Sequence, residues 1–71
     1  MLVMIRVENM ATEVLTIAID PWKVERISPA IGEKNMSYLT LTSSTQSWRV
    51  KSSFEDLVNI INTARKGVQH V

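Results

Sequence analysis

The chain has 71 residues, which is enough for one small domain and too few for two. Eight Lys and Arg against seven Asp and Glu leave a formal net charge of +1, so the chain is neither a polybasic nucleic-acid arm nor an acidic tail. Hydrophobic residues make up 45% of it, with only two Gly and two Pro, which is typical of a folded protein and not of a disordered one.

Two strands are predicted in the N-terminal part, because apolar residues alternate over residues 2–8 and again over 13–19. The run that begins at Met10 also resembles a bacterial translation start, so residues 1–9 are either an edge strand or a start-site extension. The second strand carries Val14, Thr16 and Ala18 on its outer side, an unusually apolar set for a surface in water. We therefore expect this strand either to be central and covered on both faces or to contact another chain.

The next segment begins with Asp20-Pro21, which ends the strand because proline has no N–H for a ladder. The same dipeptide suits a helix start, with Asp20 as the N-cap and Pro21 in the first turn. The pattern favours a turn at 20–23 followed by a short strand at 24–28, and a helix over 20–27 remains the alternative.

A hairpin is predicted after a loop at 30–35, in which Gly32 and Asn35 can adopt positive φ. Its strands are residues 36–42 and 47–51, joined by a polar connection at 43–46. In the second strand, Trp48 and Val50 share the core side, while Arg49 and Lys51 lie on the opposite side.

The last element is an amphipathic helix over about residues 53–66, with a capping box formed by Ser52 and Glu55 and with Gly67 after its end. Its apolar side consists of Phe54, Leu57, Val58, Ile61 and Ala64, with Ile60 widening the stripe. The order of elements predicts an α+β fold: a small, bent antiparallel sheet of four to five strands with one C-terminal amphipathic helix packed on one face. Residues 1–71 form a single domain, in which residues 67–71 are a frayed tail.

Catalytic and cofactor chemistry have little support in this sequence. There is no Cys, and the one His, His70, is the penultimate residue, so neither thiol catalysis, a structural zinc site nor a serine triad is expected. Two Gly cannot form a phosphate-cradling loop. We expect no enzyme activity and no cofactor. The absence of an apolar run of membrane-spanning length, of a signal peptide and of Cys favours the cytoplasm.

Binding to another protein is the function that these residues favour. Ordering a chain of this size costs on the order of 100 kcal/mol, which a small core barely offsets, so a homo-oligomer or a bound partner is expected. The candidate partner-binding residues are Trp22, Arg26, Tyr38, Arg49 and Lys51, together with the outer side of the second strand. The alternative is a small nucleic-acid-binding regulator that uses the basic strand with an aromatic side chain for stacking.

The segment from Val24 to Lys66 resembles the small flagellar accessory proteins of the FlbD type. Residues 24–27 (VERI), 39–41 (LTL), 48–52 (WRVKS) and 54–58 (FEDLV) fall on the successive motifs of that family. The resemblance implies a non-enzymatic accessory role, and it identifies no binding residue.

Overall fold

The computed structural model describes residues 2–44 and 46–68. Its elements are β1 (Val3–Glu8), β2 (Val14–Ile19), a 3-10 turn (Pro21–Lys23), β3 (Val24–Pro29), β4 (Ser37–Leu41), β5 (Ser47–Val50) and α1 (Phe54–Val68). The five strands form one sheet in which every pairing is antiparallel. The predicted small α+β fold with a C-terminal helix is thereby confirmed.

The strand order is β2-β1-β5-β4-β3, and it corrects two expectations about the N-terminal strands. Of the two alternatives for residues 1–9, an edge strand or a start-site extension, the edge strand is wrong, because β1 lies inside the sheet, between β2 and β5. The reason is that β5 returns to β1 and pairs Val7 with Val50 and Glu8 with Arg49. Of the two alternatives for the second strand, a covered central position is wrong, because β2 is an edge strand.

The core lies between α1 and one face of the sheet. Leu57 and Ile61 of the helix are buried with Leu39, Val50 and Val7 of the strands. Phe54, expected in the apolar stripe, remains 38% exposed, and Ile60 is similarly exposed. The predicted stripe was too wide because a helix that lies on a sheet buries only the side chains that point directly at it.

The start of α1 is one residue later than predicted. The Ser53 hydroxyl accepts a hydrogen bond from the Asp56 N–H at 3.2 Å, and the Ser53 carbonyl accepts one from the Leu57 N–H at 3.0 Å. Ser53 is therefore the N-cap. Ser52 has another role, since its carbonyl accepts a hydrogen bond from the buried Ser37 hydroxyl at 2.8 Å.

The end of α1 is also later than predicted, because the helix includes Gly67 and Val68. The expected tail thus begins two residues too early. Its remaining residues, 69–71, lie outside the described part of the chain, and so does His70.

The segment after β2 forms the predicted turn and strand, and the alternative helix over 20–27 is wrong. The Asp20 carboxylate accepts a hydrogen bond from the Trp22 N–H at 2.9 Å, and Pro21 opens the 3-10 turn as the sequence indicated. Gly32 has the expected positive φ of 80° in the turn that follows β3. Thr12 and Ser43 also have positive φ, at 62° and 68°, which their sequence did not suggest.

Candidate protein-interaction surface

The sheet face opposite α1, here called the outer face, carries most of the predicted binding residues. Strand alternation and register place side chains from all five strands on it. From the β2 edge to the β3 edge its members are Val14, Thr16 and Ala18; Met4, Arg6 and Glu8; Arg49 and Lys51; Tyr38 and Thr40; Arg26 and Ser28.

The centre of the outer face is a row of paired charges, here called the charged row, formed by Lys51, Glu8, Arg49, Glu33 and Tyr38. The Glu8 carboxylate lies 3.6 Å from the Lys51 ammonium and 3.4 Å from Arg49 Nε. The Arg49 guanidinium also donates hydrogen bonds to both oxygens of Glu33, at 2.8 and 2.6 Å, and to the Tyr38 hydroxyl at 3.2 Å. Two carboxylates thus neutralise two cations.

Arg49 holds this row together. Its hydrogen bonds to Glu33 raise the pKa of the Arg49 guanidinium above its ordinary value, against a smaller opposing effect of desolvation. Its Nε is buried without a hydrogen-bond partner in the described residues, since the Glu8 carboxylate beside it is not aligned to accept. With 34% of its side chain exposed, Arg49 faces solvent and also connects three segments of the fold.

The other candidates are dispersed. Arg26 is exposed on β3, at the opposite edge of the sheet from β2. Trp22 lies on the 3-10 turn beside α1, where its ring is 5.3 Å from the guanidinium carbon of Arg65. Trp22 is 52% exposed. The structure thus brings Tyr38, Arg49 and Lys51 together, places Arg26 on the same face at the β3 edge, and leaves Trp22 apart from them.

The outer face of the β1-β2 hairpin carries a group of uncharged side chains, here called the hairpin patch, made of Met4, Val14, Thr16 and Ala18, with Arg6 opposite Thr16 and Glu8 opposite Val14. Met4 is directly opposite Ala18 in the register and is 66% exposed, and Val14 is also exposed. On the inner face, Leu15 at the end of the same hairpin remains exposed as well. These side chains lie at the β2 side of the sheet, whereas α1 packs mainly against β3, β4 and the 3-10 turn.

A cleft of about 310 Å³ adjoins the charged row. It is lined by Glu8, Asn9 and Met10 on one side and by residues 46–49 on the other.

Within residues 2–44 and 46–68, no three His, Cys, Asp or Glu side chains gather in a way that could hold a metal ion. Over the same residues, no helix has both the length and the apolar character needed to cross a membrane.

Comparisons with known proteins identify no relative. No protein-family model matches the chain, and neither a curated protein nor a solved structure shows significant similarity to it.

Sequence reasoning missed the acidic partners of the charged row. Glu8 and Glu33 are far from Arg49 along the chain, and their contact depends on the β1-β5 pairing and on the turn that contains Gly32. A local pattern cannot indicate such a contact. Alternation did place Arg49 and Lys51 together on the outer side of β5.

Proposed function

We propose that this protein is a non-catalytic interaction module that binds a partner protein and acts as a homo-oligomer. The observation that carries the proposal is the hairpin patch, where Met4 is exposed opposite the small Ala18 and Val14 is exposed further along the uncovered β2 edge. Exposed apolar side chains that are contiguous on a sheet, and not scattered singly, are typical of a protein contact surface.

The charged row supports the same proposal as a polar rim. Interfaces commonly combine an apolar centre with paired or pairable charges around it, which contribute specificity and orientation. Arg49 and Lys51 lie one strand away from the hairpin patch, and Tyr38 lies beyond them. Arg26 lies on the same face beyond Tyr38, at the β3 edge, whereas Trp22 lies outside this face and is not part of the proposed contact.

Nucleic-acid binding remains the alternative and has less support on the outer face. Arg49 and Lys51 are paired with Glu8 and Glu33, so a phosphate backbone would have to compete with carboxylates already in place. Among the described residues of the outer face, Arg6 and Arg26 are exposed cations in no salt bridge, and two cations contribute little to an affinity that normally sums several phosphate contacts.

An accessory role of the FlbD type is part of the proposal. Its support is that the four segments quoted from the sequence fall on β3, β4, β5 and the first turns of α1. We also propose a cytoplasmic location in a bacterium or a phage-infected cell, which is supported by the cysteine-free composition.

The first test is the molar mass in solution by light scattering, at low and high salt, with and without a mixed-sequence oligonucleotide. We expect a mass of at least twice the 8.0 kDa of one chain. Neither salt nor the oligonucleotide should change this mass. A monomer that gains mass with the oligonucleotide only at low salt would favour the nucleic-acid alternative.

The second test is capture of partner proteins from a bacterial lysate by wild type and Met4→Lys. Replacing Met4 by a charge should abolish capture of any specific partner, because a lysine in an apolar contact is poorly tolerated. The matched control is Ile31→Lys, since Ile31 is fully exposed in the loop between β3 and β4, away from the hairpin patch. Equal capture by wild type and Met4→Lys would contradict the proposed surface.

A further inference from the structure

The two edges of the sheet are built differently. The β3 edge contains a bulge between Val24 and Arg26, two charged residues at 25 and 26, and a proline at its end. Each of these features obstructs pairing with another strand. The β2 edge, residues 14–19 (VLTIAI), has six residues in unbroken register with β1 and no charge. Such an edge is a template for pairing unless another chain covers it.

The direction of the free backbone groups on β2 follows from the turn before it. The Asn9 N–H donates to the Glu13 carbonyl at 2.9 Å, so the odd-numbered residues of β2 direct their backbone groups toward β1. The even-numbered residues Val14, Thr16 and Ala18 therefore direct their N–H and C=O groups to the open edge. On β1 too, an even-numbered residue directs its backbone groups away from the β1-β2 pair, because the Arg6 carbonyl accepts a hydrogen bond from the Lys51 N–H on the β5 side.

We propose that β2 pairs antiparallel with β2 of a second copy, with the two Thr16 residues opposite each other on the two-fold axis. In this register Val14 faces Ala18 of the other copy, and all three outward residues of each strand form hydrogen-bonded pairs. Two five-stranded sheets join into one continuous sheet. The inference rests on the proposed function, because it names the contact that makes the homo-oligomer.

Size and polarity select a second copy as the occupant. A strand that pairs with itself must be complementary to its own reverse, and here a larger Val14 meets a smaller Ala18, while two Thr16 side chains meet and can exchange a hydrogen bond. On the inner face Leu15 comes opposite the half-buried Ile17 of the other copy, and the contact covers the exposed part of each.

Charge and backbone geometry select the register. A symmetric shift by one residue pair toward the C-terminal end of β2 would pair Val14 with Asp20, which lies beyond β2 and whose carboxylate caps the 3-10 turn. The shift in the other direction would need Thr12 to continue the strand, and its φ of 62° prevents that. The register centred on Thr16 brings only uncharged residues of 14–18 into contact.

Cysteine cross-linking tests the register directly, because the chain has no Cys of its own. We expect Thr16→Cys to form a disulfide-linked dimer under mild oxidation, since the two Cα atoms would lie about 5.5 Å apart, within disulfide range. Val14→Cys and Arg6→Cys should remain monomeric on a non-reducing gel, because either pair would be about 14 Å apart. Arg26→Cys, exposed on the other edge, measures collisional background.

Light scattering of Thr16→Glu provides the second readout. Two carboxylates opposite each other should halve the mass from twice the 8.0 kDa of one chain to 8.0 kDa, with an unchanged circular dichroism spectrum. Thr63→Glu, the same substitution at an exposed position of α1, should keep the wild-type mass.

If the wild type is a dimer but the Thr16→Cys variant cross-links no better than Arg26→Cys, the β2 pairing is wrong and the proposed function still stands. A wild type that stays at 8.0 kDa at every concentration would overturn both the pairing and the homo-oligomeric part of the proposed function. In that case, alkylation of the Thr16→Cys thiol is compared with a captured protein and with added copies of the chain. Protection by the captured protein alone would mean that this protein, and not a second copy, pairs with the β2 edge.

Discussion

Arg65 of α1 lies over the ring of Trp22 on the 3-10 turn, with 5.3 Å between the guanidinium carbon and the ring centroid. The same guanidinium donates hydrogen bonds to the carbonyl of Pro21 at 2.9 Å and to that of Val24 at 3.4 Å. One side chain thus joins the last turns of the helix to the segment that carries the chain from the β2 edge to the β3 edge. The planar guanidinium can donate hydrogen bonds to carbonyl groups while its face stacks on an aromatic ring.

We therefore expect Arg65→Ala to lower the free energy of unfolding by about 1–2 kcal/mol, through the lost hydrogen bond and cation-π contact. Arg65→Lys should recover only part of the loss, because an ammonium cannot reproduce the planar guanidinium. Urea titration followed by the emission of Trp22 in a Trp48→Phe background measures both effects. Lys66→Ala, an exposed neighbour, is the control, and an equal loss there would contradict the role given to Arg65.

Two adjacent serines at the start of α1 give a matched test of the cap. Ser53→Ala should cost about 1 kcal/mol, because it removes the acceptor of the Asp56 N–H. Ser52→Ala should have little effect, because the structure uses the carbonyl of Ser52 and not its hydroxyl in the contact with Ser37. Denaturation of the two variants side by side measures the difference. If Ser52→Ala were less stable than Ser53→Ala, Ser52 and not Ser53 would be the N-cap.

Truncations along the helix test how it covers the sheet. Leu57→Ala should lower the free energy of unfolding by about 2–5 kcal/mol, because Leu57 is fully buried in the core. Phe54→Ala should cost distinctly less, since part of that ring already faces water. Thermal and chemical denaturation of the two variants compares the losses. A small loss at Leu57 would mean that the helix faces a partner and not the sheet.

Charge reversal at Arg49 tests the charged row. Arg49→Glu brings a third carboxylate between Glu8 and Glu33, so we expect a lower denaturation midpoint, with a deficit that shrinks as salt screens the repulsion. Arg49→Gln, which removes the charge without reversing it, should be milder. A reversal without any effect on the midpoint would contradict the row as a structural unit.

Because the pKa of Arg49 is raised, the stabilisation of the fold by the Arg49 guanidinium in the charged row is independent of pH over the ordinary range. A cation whose pKa is higher in the folded state stabilises that state below its unfolded pKa and loses the effect only as pH rises through the folded value. For a guanidinium both values lie at strongly alkaline pH. Comparing wild type with Arg49→Gln at pH 7 and pH 9 should therefore give the same difference in midpoint.

The sequence by itself determined the elements of this protein. Alternation fixed where strands run and which side of β5 carries Arg49, and the periodicity of Leu57 and Ile61 identified the helix, because strand and helix periods are local properties of the backbone. Asp20-Pro21 likewise marked the 3-10 turn. The predicted helix boundaries differ from the observed ones by one or two residues. At the start of the helix the reason is that Ser52 and Ser53 are equally good N-caps on sequence grounds.

Only the tertiary structure decided which strands are neighbours. The pairing of β1 with β5 joins residues more than forty positions apart, and no local pattern encodes such a contact. That single pairing moved β1 into the sheet, left β2 at an edge, and brought Glu8 to Arg49. The candidate surface follows from the same pairing: in sequence, an apolar strand indicates burial or association equally well, and the place of β2 at the end of the sheet excludes the covered central position.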